Sequence, residues 1–485
     1  MQADINEDVH IKMDGEIADL LIKRDPTFKQ YKTYEKGKPV IYAKLEKALY
    51  GTLQAAKLFW EDLSRFLTEE LGFKTNPYDR CVANKIINGS QCTIGWHVDD
   101  LKISHVNQDV IDDILNKLDQ KYGNEAPLTI HRGRVHDYLG MTIDYTKTGK
   151  VMFKMQDYVE ALLAECPKDL MKGPSVTPAA NHLFEVNPNA TKLSPIDSDM
   201  YHHLVAKLLY LGKRTRPDIL LAVCFLTTRV SQPDEDDWKK LGRCLQYLEE
   251  TKALYLTLEA DNLSNIKWWI DASFAVHKDM KSHTGAVASL GKGAIYSMSN
   301  KQRINTRSST EAELVGVNDA IGMALWIRQF MEEQGYNVTD NVIYQDNQSA
   351  MLLERNGHKS SGKKTRHLDI RYYFITDQIG QEKVRVQYCP TDEMVADFFT
   401  KPLQGSKFRQ FRDAILNVPQ AMKSVMTEVV HVIAPVPGQE CVGTDDTVRP
   451  SAVNPDDREH GWTVVTRRRP GRSCPKAFET CQRST

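Results

Sequence analysis

Two hydrophobic periods alternate along the chain, and where they change they divide it. In "CTIGWHVDDLKIS", residues 92–104, Ile94, Trp96 and Val98 fall on every second position, a pair of aspartates interrupts, and Leu101 and Ile103 resume the pattern. This spacing predicts strand, tight turn, strand. Apolar residues from Leu53 to Leu71, and again in "QDVIDDILNKLDQKYG", recur at three and four and predict helices. Residues 1–150 therefore mix short strands with helices. From 151 to 264 the pattern is mostly helical, in "DYVEALLAECP", "DMYHHLVAKLLYLGKRT" and "RPDILLAVCFLTTRV", with Pro217 suited to the first turn of the last. Pro174, Pro178, Pro188 and Pro195 mark 174–198 as a loop.

From 265 to 417 the periodicity is that of a compact α/β unit. "IKWWIDAS", "TGAVASL" and "AIYSMSN" predict three strands. The long helix "STEAELVGVNDAIGMALWIRQFMEEQGY" follows, with Ser/Thr then Glu as its start signal. Then come strand "NVIYQD", helix "NQSAMLLERNG", a basic loop and helix, strand "KVRVQYC" and helix "TDEMVADFFT", in the order β-β-β-α-β-α-β-α. Residues 418–485 are richer in proline, glycine and charge, show no sustained period, and are expected to form a largely disordered tail. The fold class is a multidomain α+β and α/β chain.

Composition narrows the functional classes. The 485 residues are 41% hydrophobic and 26% charged with a net charge of −1, so any nucleic-acid contact must come from local basic patches. Nine cysteines without a CxxC pair argue against a disulfide framework or a zinc ribbon and for reduced thiols. No apolar run approaches the length of a membrane span, so a soluble, intracellular protein is expected.

Carboxylates are the candidate chemistry. Asp99 and Asp100 sit at the predicted hairpin tip, and two readings stand open there: aspartate's preference for turns, and a divalent-metal site. In the α/β unit, Asp271 interrupts a strand after "WWI", Glu313 lies early on the apolar face of the long helix, Asp346 closes the fourth strand and Asp397 opens the last helix. Capping explains Glu313, Asp346 and Asp397 singly. Asp271 is harder to explain that way, because a strand centre beside tryptophans is a costly place for a charge. Glu311 points about 200° away from Glu313 at roughly 100° per residue, so the two cannot share one site.

The strings "WIDAS", "SHTGAVASLGKG", "SSTEAEL", "IYQDNQSAMLL", "TRHLDIRYYF" and "VQYCPTDEMVADFFTKPL", in this order, resemble the ribonuclease H domain of copia-type retrotransposon polyproteins. Upstream, "KLEKALYGTLQAAKLFW", "WHVDDLKISH", "YLGMTIDY" and "KLLYLGKRTRPDI" resemble the reverse transcriptase and connection of the same family, so the likeness spans residues 1 to about 417. It implies fingers and palm over 1–150, thumb and connection over 151–264 and a ribonuclease H-like domain over 265–417. It also implies that Asp271, Glu313, Asp346 and Asp397 hold two Mg²⁺ or Mn²⁺ ions for cutting RNA in RNA–DNA hybrids. Within "RNGHKSSGKKTRHLDIR", Lys363, Lys364 and Arg366 would contact backbone phosphates, and His367 would take a substrate-side role. A solvated charged loop is the plainer account of the same stretch.

By the same resemblance Asp99 and Asp100 are metal ligands of a polymerase palm, with His97 where the family more often has an aromatic. Gln54 lies near the incoming nucleotide or template, although "YGTLQAAK" departs from the commoner "YGLKQAPR" at Leu53, Ala56 and Lys57. The palm needs a further aspartate from an earlier strand, and Met1 falls where that motif should be ending. The polymerase is therefore expected to be truncated, to leave a sheet edge unpaired, and to have lost DNA synthesis; Asp4 and Asp8 belong to the downstream loop. The functional expectation is a retrotransposon reverse transcriptase/ribonuclease H fragment acting on hybrids, template RNA and DNA, alone or with other Pol products. Its expected location is the cytoplasm, in virus-like particles, or the nucleus. Two alternatives are carried: an inactive or domesticated nucleic-acid-binding remnant, and an integrase-like nuclease. The second is weakened by the place of Glu313 on the helix after three strands and by the lack of a zinc-binding HHCC segment.

Overall fold

The computed structural model describes residues 9–46, 53–123, 127–357, 369–420 and 462–466. They fall into two compact units, Met1–Gly133 with Arg458–Thr485, and Arg134–Asp457.

In the first unit, β1 (His10–Asp14), α1 (Glu16–Arg24), β2 (Thr33–Glu35) and β3 (Lys38–Lys44) build a small sheet of order β1-β3-β2 beside α1. α2 (Leu53–Arg65) is followed by β4 (Lys74–Thr75), β5 (Val82–Ile87), β6 (Ser90–His97), β7 (Asp100–Ser104), α3 (Gln108–Tyr122) and β8 (Thr129–Gly133). The alternation predicted for residues 92–104 is realised: Ile94, Trp96, Leu101 and Ile103 are buried with Leu63 of α2, Leu67 of the turn that follows it, and Ile111 and Leu115 of α3. Asn107 caps α3, its side chain accepting the Asp109 N–H at 2.9 Å.

One short segment of the tail departs from expectation, while 421–461 and 467–485 lie outside the described residues. Trp462–Thr466 forms a strand inserted between β7 and β8, antiparallel to both, giving the order β4-β5-β6-β7-(462–466)-β8. The strand β7 beside the aspartate pair is therefore paired on both sides, by β6 and by the tail segment. The physical reason is that an open ladder edge accepts any extended segment that can reach it, whatever its place in the chain.

The second unit opens with β9 (Val135–Tyr138), β10 (Met141–Asp144) and β11 (Val151–Lys154). The helices α4 (Gln156–Ala164), α5 (Pro195–Gly212), α6 (Leu220–Thr227) and α7 (Glu235–Glu250) follow, then β12 (Leu256–Ala260). Pro217 opens the 3₁₀ turn that leads into α6. β13 (Asn265–Ser273), β14 (His283–Ser289), β15 (Gly291–Lys292) and β16 (Tyr296–Lys301) precede α8 (Ser309–Glu333), β17 (Asp340–Gln345), α9 (Gln348–Asn356), α10 (Asp369–Gly380), β18 (Arg385–Tyr388) and α11 (Gly405–Leu416). One sheet runs β16-β14-β13-β17-β18, with β17 parallel to both β13 and β18 and the other pairs antiparallel.

Three features correct the sequence-based boundaries. A second sheet, β15-β12-β11-β10-β9, crosses both residue 150 and residue 264, because β11 pairs with β10 as well as β12, and β12 pairs with β15. The helical segment shares one core with the α/β unit: Leu204, Leu208, Phe225 and Leu245 lie in the same buried cluster as Val287, Phe398 and Phe411. Last, "TDEMVADFFT" is not an α-helix. It forms two 3₁₀ turns, Thr391–Glu393 and Val395–Phe399, and the final α-helix starts only at Gly405. Pro402 disfavours the α conformation at Lys401 and leaves no room for a longer helix.

A buried ion pair ties the helices together. Arg216, 1% exposed, donates to Asp218 through Nε at 2.9 Å and Nη2 at 2.8 Å, and to the Thr251 carbonyl at 2.9 Å. Tyr247 Oη donates to the same aspartate at 2.7 Å. Cys81, Cys92, Cys166, Cys224, Cys244 and Cys389 are free thiols.

Candidate metal centre

β13 carries Asp271 into the interior, where it is 2% exposed and paired in register with Gly285 of β14. A side chain at Gly285 would meet Thr400 Cγ2 at 2.7 Å, Phe399 Cβ at 2.8 Å and the Ala396 carbonyl at 2.9 Å. The missing Cβ is what lets the Val395–Phe399 turn lie directly on the sheet. That approach delivers the Thr400 hydroxyl to Asp271 Oδ2 as a hydrogen-bond donor, and Ser273 Oγ donates to the Thr400 carbonyl at 3.1 Å.

Asp271, Glu313 of α8 and Asp346, one residue beyond β17, each offer a carboxylate oxygen, and these oxygens lie within 4.8 Å of one another. Among the described residues this is the one group of three or more metal-ligating side chains so placed. Glu313 is buried, and its Oε2 has no hydrogen-bond partner. The Thr391 hydroxyl donates to Asp346 Oδ2 at 3.1 Å. Burial above all, then the neighbouring Asp271 and Asp346, holds the Glu313 carboxyl well above its usual range, against one backbone hydrogen bond from Ala272. Asp271 is pushed up to about 6, by burial first; Lys401 and Thr400 oppose the shift, and Asp397 and Asp346 add to it.

Asp397 lies outside this group of three and is linked to Asp271 through a cation. Lys401 Nζ lies 2.6 Å from Asp397 Oδ1 and 3.5 Å from Asp271 Oδ1, and Lys407 Nζ lies 3.9 Å from Asp397 Oδ2. Burial raises the Asp397 pKa while the two lysines pull it down. Lys401, Lys407 and Thr400 were not singled out from sequence. The signal was present in "DFFTK", a lysine four residues after an acid in a tight turn, but nothing local says that this turn faces Asp271. Glu311 stands apart from the acids, as its angle on the helix predicts. It is buried nonetheless, because its carboxylate accepts the Arg307 N–H at 2.7 Å while Ser308 Oγ accepts the Glu311 N–H at 3.2 Å, closing the start of α8.

The other candidate pair lies in the first unit. His97 pairs with Asp100, so Val98 and Asp99 form the two-residue hairpin loop, and Val98 adopts φ 55°, a strained setting for a β-branched residue. Asp99 and Asp100 are half-buried and His97 is exposed. Burial first and the Asp99 charge second raise the Asp100 carboxyl, against His97. Among the described residues no third carboxylate joins this pair. Gln54 lies in the first turn of α2, its side chain outside the described part. Lys363, Lys364, Arg366 and His367, with Asp4 and Asp8, also lie outside the described residues. No helix among the described residues is long and apolar enough to cross a membrane.

Residues 7–173 match the reverse transcriptase (RNA-dependent DNA polymerase) family. The chain is 28% identical over 392 residues to the retrovirus-related Pol polyprotein from transposon TNT 1-94 of Nicotiana tabacum, covering 78% of this chain and 28% of that protein. It is 31% identical over 383 residues to the retrovirus-related Pol polyprotein from transposon RE1 of Arabidopsis thaliana, covering 79% and 25%. The chain thus spans about a quarter of the length of these relatives. Among solved structures, a ribonuclease H1 isolated from compost, LC11-RNase H1, is similar at 14% identity with a TM-score of 0.22, covering 28% of this chain and 93% of that one. The chain is thus similar to copia-type retrotransposon Pol polyproteins over 78–79% of its length, and its match to the reverse transcriptase family lies within residues 7–173.

Proposed function

We propose that this relative of the copia-type Pol polyproteins cuts the RNA strand of RNA–DNA hybrids at the centre formed by Asp271, Glu313, Asp346 and Asp397, with Mg²⁺ or Mn²⁺ as cofactor. The observation that carries this reading is the convergence of the Asp271, Glu313 and Asp346 carboxylates, one of which, Glu313, also has a buried oxygen without a partner. Such a group is costly unless a cation completes it. An all-oxygen, all-acid donor set suits a hard divalent ion, so the residues present fit the cofactor. When bound, a pair of such ions supplies an activated water and neutralises the leaving oxygen.

The chain's own part is positional and electrostatic. Asp271, Glu313 and Asp346 would hold the ions. Thr400 fixes the rotamer of Asp271 through its hydroxyl, and Lys401 offsets the charge of Asp271 and Asp397 while no ion is present. Lys363, Lys364, Arg366 and His367 are read as contacts to the hybrid's backbone. The test is cleavage of a labelled hybrid in Mg²⁺ by the full chain and by Asp346→Asn. The wild type should release cut RNA and the variant should release none with an unchanged melting profile; equal turnover in both would end the reading. A chain that binds hybrid yet never cuts it would select the alternative of an inactive nucleic-acid-binding remnant.

A second reading concerns Asp99 and Asp100, read as ligands of a polymerase palm with Gln54 near the nucleotide or template. With two acids and no third among the described residues, metal and nucleotide phosphates would not be held in line, and a misplacement of about 1 Å can cost roughly 10²-fold in rate. No primer extension on an RNA template is expected from this chain, and measured extension would refute that. The same functional reading puts the chain inside the cell, in the cytoplasm or the nucleus.

A further inference from the structure

Facing α7, the segment from Pro178 to Asn187 lines an open cleft of about 430 Å³, within the range of small-ligand sites. Its apolar wall is made by Pro178, Ala179, Leu183 and Val186. Opposite stand Asp236, Lys239, Lys240 and Arg243, which at i, i+3, i+4 and i+7 share one face of the helix. Three cations therefore face the cavity against Asp236 and Glu185.

Arg243 is underused. Its single hydrogen bond among the described residues runs from Nη2 to Thr177 Oγ1 at 2.8 Å, and its buried Nε has no partner. Lys240 spends one donor on the Glu185 carbonyl and lies 4.7 Å from the centroid of the Phe225 ring. Lys239 is exposed and pairs with Asp236 at 3.1 Å. A planar guanidinium with free donors beside a second half-buried cation is the arrangement that binds a phosphoryl group. The lining residue Ala179 and the Arg243 partner Thr177 are tied to the segment after Lys401: Thr177 Oγ1 donates to Gln404 Oε1 at 3.0 Å, and Gln404 Nε2 donates to the Ala179 carbonyl at 2.8 Å. Gln404 lies three residues beyond Lys401.

We propose that this cavity is a phosphoryl-binding subsite for the backbone of a nucleic-acid strand, Arg243 and Lys240 taking one phosphate and the apolar wall taking the adjoining sugar. The proposal rests on the reading of the chain as a hybrid-binding protein and adds a contact to it. Charge would hold the strand here without reading its bases, so the subsite contributes affinity and register and no sequence preference.

The test is anisotropy of a labelled RNA–DNA hybrid titrated with the full chain in EDTA, over a series of salt concentrations. Arg243→Gln should weaken binding about tenfold and make the dependence of log K on log salt shallower by about 1. Asp236→Asn removes an anion from the same wall and should tighten binding roughly threefold, a change that a purely structural role for α7 would not produce. Lys239→Ala on the exposed rim should weaken binding even if Arg243→Gln fails to fold. Unchanged affinity and slope in Lys239→Ala and Asp236→Asn would overturn the proposal, as would a wild-type chain that does not bind hybrid. If inorganic phosphate raises the melting temperature of the wild type but not of Arg243→Gln, while hybrid affinity is the same in both, the cavity is a small-anion site and the strand proposal falls. Loss of cleavage with binding and the variant effects intact would count against the nuclease reading and leave the subsite standing.

Discussion

Asp271 and Gly285 stand opposite each other across the β13–β14 ladder, and the carboxylate of one is positioned by the hydrogen atom that serves as the other's side chain. Gly285→Ala would drive a methyl group into Thr400, Phe399 and the Ala396 carbonyl, two of the three contacts falling on backbone or Cβ atoms that cannot swing away. Overpacking of this kind costs about 1–3 kcal/mol. The expected outcome is a lower denaturation midpoint together with loss of hybrid cleavage beyond what the lost stability explains. Cleavage at wild-type rate by a stable Gly285→Ala chain would show that the turn bearing Asp397 can shift without consequence.

Lys401 and a divalent ion should compete for the same carboxylates. Replacing it by Met leaves Asp271 and Asp397 with one cation fewer. Without metal, Lys401→Met should therefore melt below the wild type. Added Mg²⁺ or Mn²⁺ should raise its melting temperature by more than it raises that of the wild type, since a ligand that binds only the folded state stabilises it in proportion to its affinity. Equal metal-induced shifts in the two proteins would mean that Lys401 lies outside the ion's field.

The raised carboxyls give the metal-free protein a definite pH response. Asp271 moves from 3.8 to about 6, and Glu313 lies well above its usual range, burial being the main cause for both. The folded state therefore holds these protons more tightly than the unfolded chain does. Their contribution is fully present below the ordinary carboxylate range and is lost as pH rises through the folded values. Lys401, lowered by burial but raised overall by Asp271 and Asp397, has a dependence of the same sign, with its contribution lost only at alkaline pH. Melting in EDTA should weaken from pH 4.5 to above 6. Added Mg²⁺ takes the ionised form, so the gap between Mg²⁺ and EDTA should widen over the same interval. A gap independent of pH would refute the link between these carboxyls and the ion.

The tail strand should behave as part of the first unit. Val464 pairs with Lys102 on one side and His131 on the other. Val464→Pro removes a ladder donor inside a six-stranded sheet, where proline is not tolerated. Amides of Leu101 and Ile103 should then exchange with solvent faster, while those of Trp268 and Ile343 in the second unit keep their protection. Removing 458–485 should have the same effect, and adding the segment back as a peptide should reverse it. Unaltered protection of β7 in both variants would show that the strand is dispensable.

What the sequence by itself determined was local and face-specific. The period-2 run through Ile94, Trp96, Leu101 and Ile103 told which side of the hairpin is buried, because alternation is a property of the strand's own geometry. The 3.6-residue period likewise separated Glu313 from Glu311, and Asp271 was marked by the cost of a carboxylate in an apolar strand. Only the tertiary structure decided that Asp397 sits in a 3₁₀ turn and is linked to Asp271 through Lys401, that Gly285 makes room for that turn, and that Trp462–Thr466 enters the sheet beside Asp100. Each of these depends on segments far apart in the chain; Thr400 meets Asp271 across a separation of 129 residues. Neighbouring residues constrain backbone angles, but they carry no information about which distant surface will close over them. That is settled by which arrangement buries the most apolar area while leaving the fewest polar groups unpaired.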